Sequence, residues 1–271
     1  MYLCDIHSHT KISPDSKAGL SDMARAAVKA GLQEFCVTDH CDLLGQDGQP
    51  VTSFDWPAAR AQYRAVKADL GDALILRLGV ELGSAPYDPD TARSILAQAG
   101  DELDFVLGSL HNWIGMEGNL DFYFSNYRDN PALARQAVEG ALAHTWTLVA
   151  QLPDCYDSLA HIIYPLRYIR RDGIALSLAD YEEQVRAIFT EVAKTDHAME
   201  VNVCRGRDID PWPPLLAWFR ECGGELVTVG ADAHSPDSVG KGIVPALDMI
   251  KAAGFDCVTT FAGRKPVLHK L

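Results

Sequence analysis

Two short pairs of residues have the types and spacing that favour metal chemistry. His7 and His9 stand in DIHSHT, and Asp232 and His234 stand in GADAHS. Residues two apart on an extended chain point to the same face, so each pair can present two ligand atoms to one cation. One such pair alone could also be surface or helix-capping residues. The presence of both pairs favours a metal site.

Four more metal-capable side chains come at the ends of short apolar runs. They are His40 in VTDHCD, Glu81 in LGVELGS, His111 in GSLHNW and His161 in LAHIIYP. A buried carboxylate such as Glu81 is costly unless a cation or hydrogen bonds compensate for it, and its two oxygens could bridge two metals. Each histidine taken singly is more typical of a hydrogen-bonded structural residue than of a ligand.

The elements that must position these residues are short apolar runs alternating with helix-like stretches. The predicted strands are 2–6, 34–38, 74–80, 104–110, 157–160, 198–203, 226–230 and 257–261. The predicted helices are 21–30, 56–70, 89–99, 131–151, 178–195, 213–221 and 235–253. Ser21, Asp88 and Asn130 stand where polar caps would satisfy the first free amides of three of these helices.

This alternation predicts parallel strands joined by helical crossovers. Seven or eight strand-helix units favour a closed barrel, with an open doubly wound sheet as the alternative. In a parallel barrel all carboxyl ends of the strands open onto one face. Eight side chains are therefore expected to converge there: His7, His9, His40, Glu81, His111, His161, Asp232 and His234. The other three histidines, His144, His197 and His269, are interpreted as structural or surface residues.

Composition limits the classes of function. The chain has 271 residues and a net charge of -13, so extended nucleic acid is expected to be a poor partner. It contains no apolar run of membrane-spanning length, and its first residues lack the basic start and long apolar stretch of a signal peptide, so we expect an unexported protein. The seven cysteines are scattered and odd in number, which is typical of reduced thiols. We expect one domain over residues 1–271, in the cytoplasm and away from membranes.

The motifs in their order resemble those of the PHP family, and specifically its histidinol phosphatases. The matching segments are DIHSHT, SPDS with Asp15, TDH, GVELG, SLH, AHIIYPLR, EVNVCRGR and GADAHSPDSVG. The resemblance implies a distorted (β/α)7 barrel similar to a TIM barrel, with its active site at the carboxyl ends of the strands. It also implies a trinuclear centre, although many members have histidine where Asp15 stands.

The resemblance also implies three ligand sets. His7, His9, Glu81 and Asp232 would hold the first divalent ion; Glu81, His111 and His161 would hold the second; Asp15, His40 and His234 would hold the third. Imidazole and carboxylate ligands without thiolate suit zinc, iron or manganese.

The implied reaction is the hydrolysis of a small phosphate monoester, L-histidinol phosphate, by metal-activated hydroxide. Arg167 and Arg207, both beyond predicted strand ends, would bind the phosphate. Asp232, His234 and His40 are all candidates for the proton donor. Arg205 is a less favoured substitute for Arg207, and a solvated charge run is the interpretation of Arg170 and Arg171. The pocket could be lined by Asn112, Trp113 and residues 121–127.

Three other functions compete with this one. Another PHP phosphoesterase could act on nucleotides or nucleoside bisphosphates, or on oligonucleotides as a small exonuclease. An amidohydrolase-like barrel shares the H-x-H motif but typically requires a bridging lysine, and no lysine ends a predicted strand here. A non-catalytic metal-binding protein would show no phosphate ester hydrolysis.

Overall fold

Seven parallel strands form the central sheet of the computed structural model, which describes residues 1–271 apart from the side chain of Glu117. In chain order the strands are β1 (Cys4–Asp5), β2 (Glu34–Asp42), β3 (Ile75–Gly83), β4 (Phe105–Ser109), β5 (Ser158–Leu159), β6 (Ala198–Asn202) and β7 (Val227–Gly230). Each strand pairs with the next one in sequence, as expected when a helix connects consecutive parallel strands.

Eight helices connect or follow these strands. They are α1 (Leu20–Lys29), α2 (Trp56–Leu70), α3 (Pro89–Ala97), α4 (Pro131–Gln151), α5 (Tyr164–Arg171), α6 (Glu182–Lys194), α7 (Trp212–Glu221) and α8 (Ile243–Ala252). Asp88 and Asn130 cap α3 and α4 through the Thr91 and Leu133 amides, as predicted. None of the helices in the described chain is both long and apolar enough to span a membrane.

The ends of the sheet meet just beyond β1 and β7. The His9 amide donates to the Ala233 carbonyl at 2.8 Å, and the Asp232 amide donates to the His7 carbonyl at 2.9 Å. A Cβ at Gly230 would overlap the Cβ of His7, so glycine permits this close approach. The predicted seven-stranded barrel is therefore confirmed, and its closure places the two H-x-H-like pairs side by side.

A hairpin covers the opposite end of the barrel. It consists of β8 (Cys257–Ala262) and β9 (Lys265–Lys270), which pair antiparallel. Phe261 stacks on Phe105 at the start of β4, with ring centroids 5.0 Å apart. The segment 257–261 is thus a strand, as predicted, but it lies outside the barrel sheet.

Two predicted helix features were wrong, and one helix was missed. Helix α1 begins at Leu20 after Gly19, so Ser21 lies inside it and does not cap it. The predicted helix 235–253 starts only at Ile243, because Gly240 and Gly242 adopt positive φ values of 73° and 84°. Helix α5 was not predicted. It is only 8 residues long, and Pro165 occupies its first turn.

Candidate metal centre

All nine predicted metal ligands lie together at the carboxyl ends of the strands. They are His7, His9, Asp15, His40, Glu81, His111, His161, Asp232 and His234, and each has a nitrogen or oxygen within 4 Å of another member of the set. His40 and Glu81 are direct register partners on the parallel strands β2 and β3. The predicted convergence is therefore confirmed by the geometry.

Glu81 is the centre of the cluster and is fully buried, with an exposed fraction of 0%. Its Oε1 atom lies 2.7 Å from His161 Nε2 and 3.0 Å from His111 Nε2. Its Oε2 atom lies 3.3 Å from His7 Nε2 and 3.5 Å from His9 Nε2. The two carboxylate oxygens therefore face two different sets of imidazoles, which is the arrangement that a bridging ligand requires.

The other side of the cluster contains Asp15. Its Oδ2 atom lies 2.9 Å from His234 Nε2 and 3.6 Å from His40 Nε2. His9 stacks against both rings, with centroids 4.2 Å from those of His40 and His234. Asp15 stands in a loop where the local sequence alone would indicate a turn or a cap. Only the barrel closure brings it opposite His234.

The donor atoms fit divalent cations. Four groups of three side chains have ligand atoms within 4.8 Å of one another, and all combine imidazoles with or without a carboxylate. His40 Nδ1 and Glu81 Oε2 are buried and lie 3.0 Å apart, but neither makes a hydrogen bond of good geometry among the described residues. Buried polar atoms without a well-formed hydrogen bond are costly unless something else, such as a cation, binds them.

Asp232 is held in an unusual backbone conformation beside this cluster. Its φ is 56°, the left-handed region that residues other than glycine rarely adopt. Its Oδ1 atom lies 3.5 Å from His9 Nε2, and its Oδ2 atom lies 3.4 Å from Arg167 Nη1. Strained residues of this type persist where the surroundings fix them, often at functional sites.

The sequence analysis missed the groups that orient the imidazoles. Glu200 Oε1 lies 2.6 Å from His7 Nδ1, and Asp42 Oδ1 lies 2.8 Å from His111 Nδ1. Ser13 Oγ lies 3.1 Å from His9 Nδ1. Such partners fix the ring orientation of ligating histidines and raise their basicity. Glu200 could have been found by the reasoning used for Glu81, since it is also a carboxylate within a buried apolar strand.

The surrounding carboxylates and imidazoles shift each other's pKa values. Burial opposes protonation of His7, but Glu200 and Glu81 raise the pKa of His7 well above its usual value. Burial also opposes protonation of His111, but Glu81 and Asp42 outweigh it and raise the pKa of His111 to about 10. Burial and the neighbouring His234 and His40 lower the pKa of His9. In the absence of metal, protons on some of the histidines therefore offset the negative charge of the carboxylates.

We expect metal loading to release protons. The raised pKa values mean that His7, His40 and His111 carry protons at neutral pH in the metal-free protein. Cations bind only the neutral imidazoles, so metal affinity should rise with pH until the pH passes these pKa values. Calorimetric titration with Zn²⁺ in buffers of different ionisation enthalpy should report more than one proton released per chain. Identical enthalpies in all buffers would contradict this expectation.

Replacing Glu200 with glutamine is expected to weaken metal binding by about 10- to 100-fold. Glutamine keeps the shape of the side chain but removes the negative charge beside His7 Nδ1. Metal affinity can be measured by competition with a chelator, and excess metal should restore occupancy of the site. Glu225→Gln, at an exposed position before β7, is the matched control and should bind metal normally. Unchanged affinity in Glu200→Gln would show that the contact is not required.

A cavity of about 760 Å³ opens beside the cluster and is lined by five arginines: Arg167, Arg170, Arg171, Arg205 and Arg207. Arg167 Nη1 points towards Asp232, as described above. Arg207 Nε donates to the Cys204 carbonyl at 3.2 Å, whereas the buried Arg205 Nε has no partner among the described atoms. The predicted choice of Arg207 over Arg205 stays a prediction.

Arg170 and Arg171 are exposed to solvent, as the interpretation of a solvated charge run predicts, but each also has hydrogen-bond partners. Arg170 Nη2 donates to Asp208 at 2.6 Å. Arg171 donates to the carbonyls of Tyr123 and Ser125 at 2.6 and 2.8 Å. Both arginines have fixed partners on the cavity wall because they lie on α5, which the sequence analysis did not predict.

The loop after β4 supplies part of the predicted pocket lining. Asn112, Asp121, Tyr123 and Phe124 line the cavity. Trp113 is buried and stacks on Phe122 instead, so it packs behind the pocket. The predicted contribution of this segment is thus confirmed in part.

The other three histidines have structural contacts, as interpreted: His144 Nε2 lies 3.1 Å from the Ile114 carbonyl, His197 Nε2 lies 2.9 Å from the Pro153 carbonyl, and His269 stacks on Tyr2.

The fold and the cluster define a class of protein, namely β/α barrels that hold divalent metals at the carboxyl ends of their strands. A family model described as "PHP domain" matches residues 5–203. The chain therefore belongs to the PHP domain family, as the motif resemblance implied.

Several relatives in this family have been named. The chain is 26% identical to a histidinol-phosphatase of Lactococcus lactis subsp. lactis over 96% of this chain and 95% of that protein. It is 26% identical to a probable histidinol-phosphatase of Thermotoga maritima, over 99% of this chain and all of that protein. A crystal structure of the Lactococcus lactis histidinol phosphate phosphatase with Zn, L-histidinol and phosphate superposes with a TM-score of 0.82 at 23% identity, covering 98% of both chains.

Proposed function

We propose that this protein is a metal-dependent phosphatase that hydrolyses L-histidinol phosphate to L-histidinol and phosphate. The observation that carries the proposal is the buried carboxylate of Glu81, whose two oxygens face different imidazole sets beside an arginine-lined cavity. The named relatives of similar length support the choice of substrate. In this proposal the whole chain, residues 1–271, is a single domain.

We assign the ligands of three divalent ions, which would be zinc, iron or manganese. The first ion would be held by His7, His9, Glu81 and Asp232, the second by Glu81, His111 and His161, and the third by Asp15, His40 and His234. The short contacts within each of these sets support the assignment. When bound, such ions supply a nucleophile from water at neutral pH and offset charge on the phosphoryl oxygens.

Other side chains at the cavity would bind the phosphate, donate a proton and orient the histidines. Arg167 and Arg207 would bind the phosphoryl oxygens, because planar guanidinium groups match the geometry of phosphate. The leaving alcohol needs a proton, and His40, His234 and Asp232 all lie at the cavity wall where they could deliver it. Glu200 and Asp42 would keep His7 and His111 in the orientation that presents Nε2 to the centre.

We also propose a cytoplasmic location and a small-molecule partner, without extended nucleic acid or membrane as partners. All seven cysteines are free thiols, which is typical of a reducing compartment. The net charge of -13 would repel a long polyanion, while the arginines of the cavity offer a small anion a local basic site.

The deciding experiment compares substrates on metal-loaded protein. Phosphate release from L-histidinol phosphate, nucleoside monophosphates, nucleoside bisphosphates and short oligonucleotides should be measured together with the metal content by elemental analysis. We expect near three metals per chain and the highest kcat/KM for L-histidinol phosphate. A preference for a nucleotide or oligonucleotide would assign the site to another phosphoesterase activity of the family. No turnover of any ester would make it a binding site only.

Arg167→Met is expected to lower kcat/KM by about 10- to 150-fold, the loss of a charged hydrogen bond worth about 1.5–3 kcal/mol. The side chain is largely buried beside Asp232 and Asn202, and methionine fills similar volume without the charge. Arg93→Met, which removes an exposed arginine paired with Asp154, serves as the control. Equal rates for the Arg167 variant and the control would remove Arg167 from the proposed phosphate site.

A further inference from the structure

A buried carboxylate holds two of the cavity arginines. Asp208 lies in the loop between β6 and α7 and is 2% exposed. Its Oδ2 atom accepts from Arg167 Nε at 2.6 Å, and its Oδ1 atom accepts from Arg170 Nη2 at 2.6 Å. Arg167 and Arg170 are three residues apart on α5, so they lie on the same face of that helix. Each oxygen of Asp208 thus contacts a different guanidinium.

These contacts fix the orientation of Arg167. Its Nη2 atom donates to Asn202 Oδ1 at 2.7 Å, while Nη1 makes only a longer contact of 3.4 Å to Asp232 Oδ2. A guanidinium is planar and rigid, so fixing Nε and Nη2 also fixes the direction of Nη1. That direction is towards the metal-ligand cluster. Without Asp208, Asp232 would be the nearest carboxylate left to attract Arg167.

Arg170 has no hydrogen-bond partner other than Asp208 among the described residues. Its side chain is 62% exposed, so packing does little to restrict its rotamers. Arg167, Arg170 and Asp208 line the main cavity and also a second cavity of about 520 Å³. The ion pairs therefore form part of the wall between two open spaces. Asp208 is the group that holds Arg170 on this wall.

We propose that Asp208 is a positioning residue that orders Arg167 and Arg170 to bind the phosphoryl oxygens of the substrate. This inference rests on the proposed function, and it adds Arg170 to the phosphate-binding groups. The positioning role and simple electrostatics predict opposite changes in phosphate affinity when the negative charge of Asp208 is removed. Removing a negative charge from the neighbourhood should tighten anion binding if charge alone mattered. Loss of order in two guanidiniums should weaken it.

The test measures binding of inorganic phosphate to the metal-loaded full-length protein by calorimetry. Asp208→Asn should raise the Kd for phosphate by about tenfold or more and should raise KM more than it lowers kcat, with unchanged metal content. Asp154→Asn removes another Asp–Arg contact, the exposed pair with Arg93, and should leave both quantities unchanged. Phosphate binding that is unchanged or tighter in Asp208→Asn would overturn the proposal.

A double-mutant cycle separates positioning from general damage. If Asp208 acts through the arginines, Asp208→Asn should weaken phosphate binding far less in an Arg167→Met, Arg170→Met background than in the wild type. Fully additive effects would overturn the proposal. If Asp208→Asn does not yield folded protein, Asp208→Glu keeps the charge but displaces the carboxylate, and it should weaken phosphate binding in the same direction.

The outcomes for this inference and for the proposed function are distinguishable. Phosphate binding does not depend on which ester is the substrate. A wild-type protein that binds phosphate while Asp208→Asn binds it equally well overturns only the positioning role. A metal-loaded wild type that binds no phosphate overturns both.

Discussion

Glu81→Gln is expected to lower kcat/KM by about 1000-fold or more and to reduce the number of metals bound per chain. Glutamine has nearly the same size as glutamate, so the buried space around it is retained. One of its two terminal atoms, however, becomes an NH₂ group that cannot ligate a cation. Because the two oxygens of Glu81 face different imidazole sets, the amide must deprive at least one set of its carboxylate.

The size of this effect follows from what the metals would contribute. Loss of one cation from the site removes several kcal/mol of charge stabilisation in the transition state, and about 4 kcal/mol corresponds to about 1000-fold in rate. Steady-state kinetics and elemental analysis on the same preparation measure both consequences. Glu102→Gln, a partly exposed glutamate paired with Arg64, is the control and should keep full activity. A Glu81→Gln protein with full metal content and normal rates would contradict the bridging role.

His9→Ala is expected to reduce kcat/KM by about 1000-fold through loss of a proposed ligand of the first ion. His9 is 0% exposed, and its Nε2 atom lies 3.0 Å from His7 Nε2 and 3.5 Å from Asp232 Oδ1. Its ring also stacks between those of His40 and His234. Removing the imidazole therefore takes away one proposed ligand and the packing support of two others.

Metal content and activity should fall together in His9→Ala. His144→Ala is the matched control, because His144 is partly buried, lies outside the metal-ligand cluster and contacts the Ile114 carbonyl. Circular dichroism should show the same helix content in both variants. If His9→Ala kept three metals and near-normal rates, His9 would have to be reassigned as a packing residue.

Much of the metal centre could be predicted because its signals are local. Strand and helix patterns depend on side chains a few residues apart, so the chain order of strands and crossovers could be derived from the sequence. A parallel barrel then requires the strand ends to share one face. From that rule, His7, Glu81, His111 and His161 could be predicted to lie together without knowledge of any distance. Asp15 had no such local signal and came only from the motif resemblance.

The supporting contacts could not be predicted because they join distant segments. Glu200 meets His7 across 193 positions of the chain, and Asp42 meets His111 across 69. Asp208 meets Arg167 only because α5 and the loop after β6 lie side by side. Periodicity carries no information about such pairs, and α5 itself was missed because it is too short to show a clear period.

The sequence by itself determined which residues are candidate metal ligands, which strands carry them and at which end of the barrel they lie. Tertiary structure alone decided which oxygen of Glu81 faces which imidazoles, how Asp15 reaches His234, and which carboxylates orient the histidines and arginines. The physical reason is the range of the forces involved. Strand and helix formation responds to neighbours along the chain, whereas ligand geometry at the scale of 3 Å is set by the packing of the whole barrel.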